Sequence, residues 1–429
     1  MINESWSLCP LGKLFEIGAG KTMSAAAREG YCKTPFLRTS NVLWDEIDLT
    51  TVDEMAIPDH ELLDKLLLPG DLLVCEGGEI GRAAIWNGER EVMSFQNHLH
   101  RLRPLLDDVE PRFYVYFLQS GFTQLGIYEG AGNKTTIPNL SRNRLAALDV
   151  PHPEIDEQRE IVRALARVRE AMHVHDRSTA LSQDLKRAAM RTLFTRGLRG
   201  EEQKETEIGP VPESWDVVPL GSLGRIGNGS TPKRNIKDYW DGGDFPWLTS
   251  AKVYDREIEE ADQFVTAAAL RECHLPQIEP GAILIAITGQ GKTLGHCAVL
   301  RMRATVNQHI AYVATDLKVA EPSFVRGYLE TQYDYFRQVG AGGGSTKGAL
   351  TCAFLRSVPI PLPPALEEQQ EVAAILNAID RKIDLHRRKR AVLDQLFRAL
   401  LHQLMTGALR VADLDLTALS PQAKSDAAA

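Results

Sequence analysis

Residues 364–410 read PALEEQQEVAAILNAIDRKIDLHRRKRAVLDQLFRALLHQLMTGALR. Apolar side chains recur through this stretch at alternating spacings of three and four residues, which is the heptad pattern of a helix that packs against a partner helix. The seam residues are Val372, Leu376, Ile379, Ile383, Leu393, Phe397, Leu400 and Leu404, with His386 and Arg390 at two further seam positions. No proline occurs between residues 366 and 405, so the stretch predicts one helix of roughly 40 residues, about 60 Å long.

A second stretch of the same kind lies within residues 154–200. Its seam begins with Ile161, Leu165, Val168, Met172 and His175 and continues with the polar residues Thr179, Ser182 and Lys186. Leu181 and Leu185 are expected to take over the apolar packing there, on an adjacent face. A helix of this length cannot bury its stripe against its own small domain, and both helices carry the same stripe. We therefore expect the two helices to form an antiparallel coiled coil.

Both helices belong to a duplication that runs through the chain. The matches include Glu4-Ser5-Trp6 with Glu213-Ser214-Trp215 at an offset of 209 residues, and Pro69-Gly70 with Pro280-Gly281, His98 with His309 and Glu157-Gln158 with Glu368-Gln369 at an offset of 211. So long a period indicates a duplicated domain and not a solenoid of short repeats. The offset is near-constant through the helices, whereas the parts that precede them match more loosely.

Each copy combines a mixed globular part with one long helix. Short apolar runs at residues 72–74 and 282–287 follow Pro-Gly turns and predict strands, and residues 112–125 and 323–339 have a helical pattern. The fold class is therefore α+β: two mixed α/β domains separated by two long helices, with a pseudo-twofold internal repeat. The predicted segments are 1–153 and 201–363 for the globular domains, 154–200 and 364–410 for the helical spacers, and 411–429 for a disordered tail.

The composition excludes several classes of protein. The chain has 429 residues, of which 44% are hydrophobic and 25% charged, and its net charge is −8; this argues against a protein that coats nucleic acid by charge alone. None of the six cysteines lies in a Cys-x-x-Cys pair, which disfavours a zinc site. Because no apolar run approaches the roughly 20 residues that span a bilayer and the N-terminus lacks a signal pattern, we expect a cytoplasmic protein with no membrane partner.

Several short motifs recur in the same order in both copies. In the second copy they are Val211-Pro212-Glu213-Ser214-Trp215, Pro219-Leu220-Gly221, Gly229-Ser230-Thr231-Pro232, Pro359-Ile360-Pro361-Leu362-Pro363, Glu368-Gln369, Leu376, Ile379-Asp380, Ile383 and Leu404-Met405-Thr406-Gly407 with Arg410. The first copy matches more loosely, through Trp6, Leu11-Gly12, Val150-Pro151, Pro153, Glu157-Gln158 and Phe194-Thr195-Arg196-Gly197. This ordered set, which covers nearly the whole chain, resembles the specificity subunit of type I restriction–modification systems.

The resemblance implies a non-catalytic protein that binds double-stranded DNA and reads a bipartite, asymmetric target with two target-recognition domains. It implies that the helices form the spacer between these domains and dock methyltransferase subunits, of which we expect two. No cofactor or metal is expected in this chain. S-adenosylmethionine is expected in the methyltransferase subunits, and ATP and Mg²⁺ in the motor and nuclease (restriction) subunits, again two. A rod of this length would separate two DNA-binding faces by one to two turns of B-DNA, at roughly 34 Å per turn.

Two glycine-rich loops recur at equivalent places, near residues 130–136 and 340–348. They carry Lys134, Thr135 and Thr136 in the first copy and Ser345, Thr346 and Lys347 in the second. Glycine allows close approach of the backbone, and lysine and hydroxyl groups reach phosphates. We therefore predict that these loops contact DNA; the alternative interpretation is a pair of flexible hairpins.

Further DNA-binding candidates are basic residues near turns and two amide pairs. The basic residues are Lys21 and Arg38 in the first domain, with Lys33 nearby, and Lys233, Arg234 and Lys252 in the second, with Lys237 nearby. The amide pairs Gln96-Asn97 and Asn307-Gln308 precede the equivalent histidines. Asn and Gln side chains can bond adenine edges, which makes these four residues candidate base readers. Such residues equally often cap turns, and their duplication favours that structural role.

The segment Gly289-Gln290-Gly291-Lys292-Thr293 has the look of the end of a phosphate-binding loop, but Ala286 stands where that pattern needs its first glycine. Lys292 and Thr293 are therefore candidates for contact with a phosphate or a base edge, and ATP hydrolysis is disfavoured. Two alternatives stay open at this point. One is a nucleotide hydrolase that uses Lys292 and Thr293, and the other is a scaffold that holds two protein partners on the helical rod without DNA.

Overall fold

The computed structural model describes residues 6–126, 139–289, 292–342 and 349–415. The chain divides into two compact units, one made of residues 1–176 and 387–429 (unit 1) and the other of residues 177–386 (unit 2). Both divisions fall inside a long helix, so each unit combines one globular domain with a segment of each long helix. The bounds of the five predicted segments are not tested by this division and stay predictions. The predicted disordered tail lies, from residue 416 onward, outside the described residues.

The globular part of unit 1 precedes the first long helix. Its elements are β1 (Ser7–Pro10), α1 (Leu11–Leu14), β2 (Phe15–Ala19), α2 (Ala25–Glu29), β3 (Lys33–Leu37), β4 (Val42–Leu43), β5 (Glu46–Ile47), β6 (Asp53–Ala56), α3 (Asp59–Lys65), β7 (Leu72–Cys75), β8 (Ala83–Ile85), β9 (Ser94–Phe95), β10 (Leu99–Pro104), α4 (Pro111–Ser120), α5 (Arg142–Ala146) and β11 (Asp149–His152), and the long helix is α6 (Ile155–Arg196). The predicted helix at 112–125 is α-helical only to Ser120, and Gly121–Leu125 continue it as a π-helix.

Two sheets and a terminal strand pair organise unit 1. The strands β2, β10, β7 and β8 lie side by side in that order, and β10 is antiparallel to both of its neighbours. The second sheet has the order β6, β3, β9, with β3 parallel to β9. The pair β1–β11 is antiparallel and brings the beginning of the domain beside its end, directly before α6. Helix α4 covers β7 and β8 and buries its aromatic residues in the core.

The globular part of unit 2 follows the same chain order. Its elements are β12 (Gln203–Thr206), β13 (Gly209–Pro212), β14 (Asp216–Pro219), β15 (Gly224–Asn228), β16 (Phe245–Leu248), β17 (Glu257–Ile258), β18 (Phe264–Val265), α7 (Ala267–Glu272), β19 (Ile283–Ala286), β20 (Cys297–Leu300), β21 (Thr305–Val306), β22 (Ile310–Thr315), α8 (Pro322–Thr331), α9 (Tyr333–Gly342), α10 (Cys352–Ser357) and β23 (Pro359–Leu362), and the second long helix is α11 (Leu366–Met405). The helical pattern at 323–339 is divided at Gln332 into α8 and α9.

The sheets of unit 2 repeat those of unit 1, except that the larger sheet gains a fifth strand, β17. The larger sheet has the order β15, β22, β19, β20, β17, the smaller has the order β18, β16, β21, and β14 pairs with β23. Phe36 lies opposite Ser94 in unit 1, and Trp247 lies opposite Thr305 in unit 2, in each case in a parallel pair. The offset of 211 residues therefore holds at the level of strand register.

In unit 1 the first part of α6 and the last part of α11 run antiparallel. The guanidinium of Arg169 lies over the Phe397 ring, 5.7 Å from its centroid. Seven residues later in α6, Asp176 pairs at 3.4 Å with Arg390, which stands seven residues before Phe397. The predicted seam residues buried in the core of unit 1 are Ile161, Leu165, Val168, Leu393, Phe397, Leu400 and Leu404, and Met172 packs against them half-buried.

In unit 2 the second part of α6 and the first part of α11 are also antiparallel. Lys186 pairs with Asp380 at 2.8 Å, and further along α6 Phe194 lies with Leu376 against Gly327. The seam residues Val372, Leu376 and Ile383 are buried and Ile379 is half-buried.

The polar part of the α6 seam also lies inside unit 2. Ser182 and Lys186 are buried, whereas Leu181 and Leu185 are 69% and 52% exposed. The expectation that Leu181 and Leu185 take over the packing is therefore wrong. The helix keeps its register because Lys186 finds a carboxylate partner at the seam, in Asp380.

The Glu-Gln pair at the start of each long helix joins the helix to its globular domain. In unit 1 the indole N–H of Trp6 donates to Glu157 at 3.2 Å, and in unit 2 that of Trp215 donates to Glu368 at 3.4 Å. The duplicated tryptophan of the sequence motif is thus a tie to the duplicated glutamate.

The glutamines of these pairs are buried and make equivalent hydrogen bonds. Gln158 accepts from the backbone N–H of Glu110 at 2.9 Å and donates to the carbonyls of Asp108 and Pro153 at 3.0 and 2.7 Å. In unit 2 the corresponding bonds of Gln369 are an N–H from Glu321 at 2.9 Å and donations to Val319 at 3.2 Å and Pro363 at 3.1 Å. Each glutamine therefore holds three backbone groups of its domain against the first turn of its helix.

These observations confirm the predicted fold class, with two mixed α/β domains, an internal repeat and two long helices of 42 and 40 residues whose segments run antiparallel within each unit.

Candidate nucleic-acid interface

A glycine at the end of the first strand of each larger sheet determines where the chain can pass. A Cβ atom on Gly20 would lie 2.3 Å from the carbonyl oxygen of Gln96, and one on Gly229 would lie 1.7 Å from that of Val306. Only glycine allows two backbones to approach so closely. The turn that follows each glycine therefore lies beside the amide pair of its own unit.

In unit 1 the amide pair lies at the edge of an open depression. The N–H of Lys21 donates to the carbonyl of Phe95 at 2.9 Å, and the N–H of Asn97 donates to the carbonyl of Lys21 at 3.1 Å. Gln96 lines the depression, whose volume is about 600 Å³. The other lining residues are Met23, Arg28, Lys33, Phe36, Arg38, Val52, Asp53 and Glu54. The fold thus brings Gln96 together with three cations, in a place that is open to solvent.

In unit 2 the two members of the amide pair have different surroundings. Asn307 is buried, and its Oδ1 accepts the backbone N–H of His309 at 3.0 Å, so it caps the turn. Gln308 is exposed, accepts from the hydroxyl of Thr231, and places its Nε2 3.0 Å from Nε2 of His309. The structural role that duplication favours thus applies to Asn307, while Gln308 remains at the surface.

Lys21 and Arg38, the basic residues predicted near turns in unit 1, both have carboxylate partners. Lys21 donates to both oxygens of Glu61 at 2.8 Å, and this hydrogen bond is the main cause that holds the pKa of Glu61 below its ordinary value. Arg38 pairs with Asp53 at 3.0 Å, with both side chains partly exposed. Exposed pairs of this kind are weak, so a phosphate would compete with Asp53 for Arg38 at small cost.

In unit 2 the turn after Gly229 presents a basic surface that aromatic rings hold in place. The guanidinium of Arg234 lies 3.8 Å from the ring centroid of Trp240 and 4.8 Å from that of Trp247, and it donates to Gln263 at 2.7 Å. The indole N–H of Trp240 donates to the carbonyl of Lys233 at 3.2 Å. Cation–π contacts of this kind preorganise a guanidinium without neutralising it. Sequence reasoning found Arg234 but missed both tryptophans, whose only signal is that they follow it 6 and 13 residues downstream.

Lys252, also predicted to contact phosphate, is surrounded by acidic groups. Its Nζ lies 3.3 Å from Asp255, 3.5 Å from Asp262 and 3.8 Å from Glu260. Burial acts to lower the pKa of Lys252, but the hydrogen bonds and charges of Asp255 and Asp262 raise it above its ordinary value. The charge of Lys252 is therefore engaged by local carboxylates, whereas Lys233 lies on the turn that Trp240 supports.

The loop after β19 is held by an aromatic cluster. The hydroxyls of Thr293 and Tyr254 are 3.0 Å apart, and the carbonyl of Lys292 accepts from the hydroxyl of Tyr333 at 2.6 Å. The His296 ring lies between the two tyrosine rings, at 4.6 and 4.7 Å, and burial lowers its pKa. Sequence reasoning missed this cluster because its members come from three distant segments.

The predicted glycine-rich loops cannot be placed in this way. Lys134, Thr135, Thr136, Ser345, Thr346 and Lys347 lie outside the described residues, as do Gln290 and Gly291 of the P-loop-like segment. Their contact with DNA stays a prediction.

A second surface lies on the long helices. Leu181 and Leu185 are 69% and 52% exposed in unit 2, and Val392 and Leu396 are 63% and 37% exposed in unit 1. The two pairs are repeat equivalents, and each pair has the four-residue spacing that puts both side chains on one face of a helix. Large apolar residues that recur in pairs at a surface indicate a partner.

Among the described residues, His, Cys, Asp and Glu form no group of three or more that could hold a metal ion. Within the same part of the chain, no helix is long and apolar enough to cross a membrane.

Comparison with known proteins finds the same family in both repeats. The family model for the type I restriction modification DNA specificity domain matches residues 3–180 and again residues 212–395. The MjaIX type I restriction enzyme specificity subunit of Methanocaldococcus jannaschii is 32% identical over 199 residues, 46% of this chain and 44% of that protein. The MjaVIII specificity subunit of the same organism is 21% identical over 426 residues, 96% of this chain and 95% of that protein. The crystal structure of a type I restriction–modification S subunit from M. genitalium superposes with a TM-score of 0.60 at 16% identity, covering 94% of this chain and 96% of that one.

Proposed function

Because this chain belongs to the type I restriction–modification DNA specificity family, as a non-catalytic specificity subunit with two target-recognition domains, we propose that each domain reads one half of a bipartite, asymmetric DNA target. Unit 1 holds the domain for one half-site and unit 2 the domain for the other. Membership of a family of non-catalytic subunits leaves no ground for the alternative of a nucleotide hydrolase at Lys292 and Thr293.

The observation that carries this proposal is that equivalent turns, after Gly20 and Gly229, bear different side chains in the two repeats. Gly20 and Gly229 place equivalent turns beside equivalent amide pairs. The residue after the glycine is Lys21 in unit 1 and a serine in unit 2, and Arg38 is replaced by a threonine at the equivalent strand end. A constant scaffold with altered polar groups is what two different half-sites require, because bases are read by the donor and acceptor pattern of the side chains.

The basic turn of unit 2 offers a direct test. Lys233→Ala should weaken binding of the target duplex by the complex with its methyltransferase and lower the slope of log K against log salt by about 0.9, as for the loss of one phosphate contact. The matched control is Lys318→Ala. Lys318 is an exposed lysine of the same domain, but it follows the last residue of β22, whereas Gln308 precedes the first. Equal slopes for the two variants would remove the basic turn from the interface.

The bipartite target has its own test. Footprinting of the complex should show two protected patches that flank an unprotected gap, and methylome sequencing of a host carrying the complete system should return the two half-sites. If the complex shows no sequence preference with its methyltransferase bound, the DNA-reading proposal is wrong and the scaffold alternative replaces it.

We further propose that two methyltransferase subunits dock on the long helices, one at the pair Leu181 and Leu185 and one at the pair Val392 and Leu396. These subunits would carry S-adenosylmethionine, and two restriction subunits, with ATP and Mg²⁺, would join the same cytoplasmic complex. The support is the duplication itself, since an exposed apolar pair that occurs twice provides two equivalent sites for one partner.

Single substitutions should distinguish the two docking sites. Leu185→Asp should remove one methyltransferase subunit from the purified complex, Leu396→Asp the other, and the double variant both, as measured by the mass of the assembly. Leu63→Asp is the control, because Leu63 is 82% exposed on α3 in the recognition domain. A double variant that retains two methyltransferase subunits would refute these sites.

A further inference from the structure

A buried carboxylate on α11 collects three cations in unit 2. Asp380 is only 5% exposed. It lies 2.7 Å from Arg256, 2.8 Å from Lys186 and 3.4 Å from Arg326. Arg256 belongs to the loop before β17 of the recognition domain, so this ion pair joins the domain to the helix of its own repeat. A buried charge is tolerated only when partners compensate for its lost hydration.

The equivalent position in unit 1 carries the opposite charge. The residue 211 positions before Asp380 is Arg169 on α6, and the residue 211 positions before Arg256 is Asp45. The Asp45 carboxylate lies 3.6 Å from Nε of Arg169, and Nη2 of the same guanidinium donates to the carbonyl of Trp44 at 2.8 Å. The repeats have therefore kept an ion pair between domain and helix while inverting its sign.

The backbone conformation of the loop residue is retained in both repeats, as the ion pair is. Asp45 and Arg256 have φ values of 53° and 55°, in the left-handed region that non-glycine residues rarely adopt. Such a conformation persists only where the surroundings determine it. Both loops thus aim a charged side chain at the same place on the helix of their own repeat.

The neighbours of each pair match its sign. Asp45 accepts from the hydroxyl of Tyr116 at 2.8 Å and lies 3.1 Å from Arg112, so the surroundings of this carboxylate are rich in hydrogen-bond donors. Arg169 faces the neutral ring of Phe397, whereas the equivalent of Phe397 in the first repeat is Lys186, which would repel it. In each unit the charge of the loop residue is therefore complementary to the groups around it. The loop residue of the other repeat would place a like charge there.

We infer that the pairs Asp45–Arg169 and Arg256–Asp380 form a charge code. The order of the two charges, which is opposite in the two repeats, matches each recognition domain to the long helix of its own repeat. A domain moved to the other position would bring arginine against Arg169 or aspartate against Asp380. Exchange of recognition domains between the two positions therefore requires exchange of the helix residue. Only the part of this inference that concerns DNA rests on the proposed division of the target into two half-sites. The match between each domain and its helix is a property of the protein alone.

The first test is an unfolding experiment on the full-length chain. Asp45→Arg installs the residue of the second repeat and should lower the midpoint of thermal unfolding by about 5–10 °C, more than Asp45→Asn does, because the new charge faces Arg169 and Arg112. Adding Arg169→Asp and Arg112→Ser inverts the pair and removes the second arginine, as at the equivalent positions of unit 2, and should recover much of the loss. The control starts from Asp71→Arg, which breaks the pair with Arg103 inside the same domain and should not be rescued by Arg169→Asp.

The outcome has two arms. If Asp45→Arg is no worse than Asp45→Asn, or if the triple variant recovers nothing, the code is wrong. Should Asp45→Arg fail to fold, the neutral cycle of Asp45→Asn and Arg169→Met still measures the coupling, and purely additive shifts in midpoint would overturn the inference.

A DNA readout separates positioning from mere stability. In the complex with methyltransferase, Asp45→Asn should reduce discrimination at one half-site and leave the other unchanged, with an unaltered salt slope because no phosphate contact is lost. An equal loss at both half-sites would show that the pair does not position one domain. Absence of any half-site preference in the unsubstituted complex would count against the proposed function and not against the unfolding result.

Discussion

Replacing Gln158 with methionine removes the three hydrogen bonds of a buried side chain while nearly preserving its volume. The bonds join the side chain to the backbones of Glu110, Asp108 and Pro153, at 2.7 to 3.0 Å. A buried hydrogen bond contributes about 1 kcal/mol net, so the free energy of unfolding of unit 1 should fall by about 3 kcal/mol. For a unit of this size each kcal/mol lowers the melting temperature by about 2–4 °C, which predicts a shift of roughly 6–12 °C.

The assay is thermal unfolding of the full-length protein, followed by circular dichroism. Gln369→Met is the internal duplicate in unit 2 and should lose slightly less, because two of its three bonds, at 3.1 and 3.2 Å, are longer. Gln203→Met is the matched control, since Gln203 is exposed and makes one bond, to Thr195 at 2.9 Å. A shift for Gln158→Met no larger than that of the control would refute the idea that these glutamines join the domains to the helices.

Three further predictions concern the thiols, the spacer and the polar seam. Exposed Cys32 should be alkylated in the native protein, whereas Cys75 and Cys297, whose pKa values burial raises to about 11 and about 12, should stay unmodified by peptide mass spectrometry; labelling of Cys297 would contradict its burial. Inserting seven residues at matched points of both long helices should lengthen the tolerated gap by about three base pairs without changing either half-site, as methylome sequencing would report; an unchanged gap would rule out the spacer role. Lys186→Met should cost about 1–2 kcal/mol in chemical denaturation, because Asp380 keeps its two arginines; a loss of 3 kcal/mol or more would mean that the lysine is the main partner of Asp380.

Much of the fold could be predicted because its signals are local or periodic. The heptad spacing from Val372 to Leu404 indicated a helix that the structure extends over residues 366–405, and the Pro-Gly turns located the strands that begin at Leu72 and Ile283. The repeat offset was visible because duplication preserves order along the chain. Each of these signals is present in a short window or in a comparison of two windows.

The candidate site was less predictable because its geometry depends on residues far apart in sequence. Basic residues near turns pointed to both Lys252 and Lys233, yet Lys252 lies among three carboxylates and Lys233 lies on the aromatic-supported turn. The same limitation explains the error at Leu181 and Leu185. Hydropathy favoured the leucines for the seam, but a buried carboxylate nearly 200 residues away makes lysine the better seam residue there.

The heptad stretch and its earlier copy thus determined, from sequence alone, that two long helices exist, that they are equivalent and that each follows its own globular domain. Helical periodicity and duplication are properties of chain order, and they need no knowledge of contacts. Only the tertiary structure decided which charges meet. The sign of the pair is Asp45 with Arg169 in one unit and Arg256 with Asp380 in the other, and an ion pair depends on distance in space, which chain order does not specify.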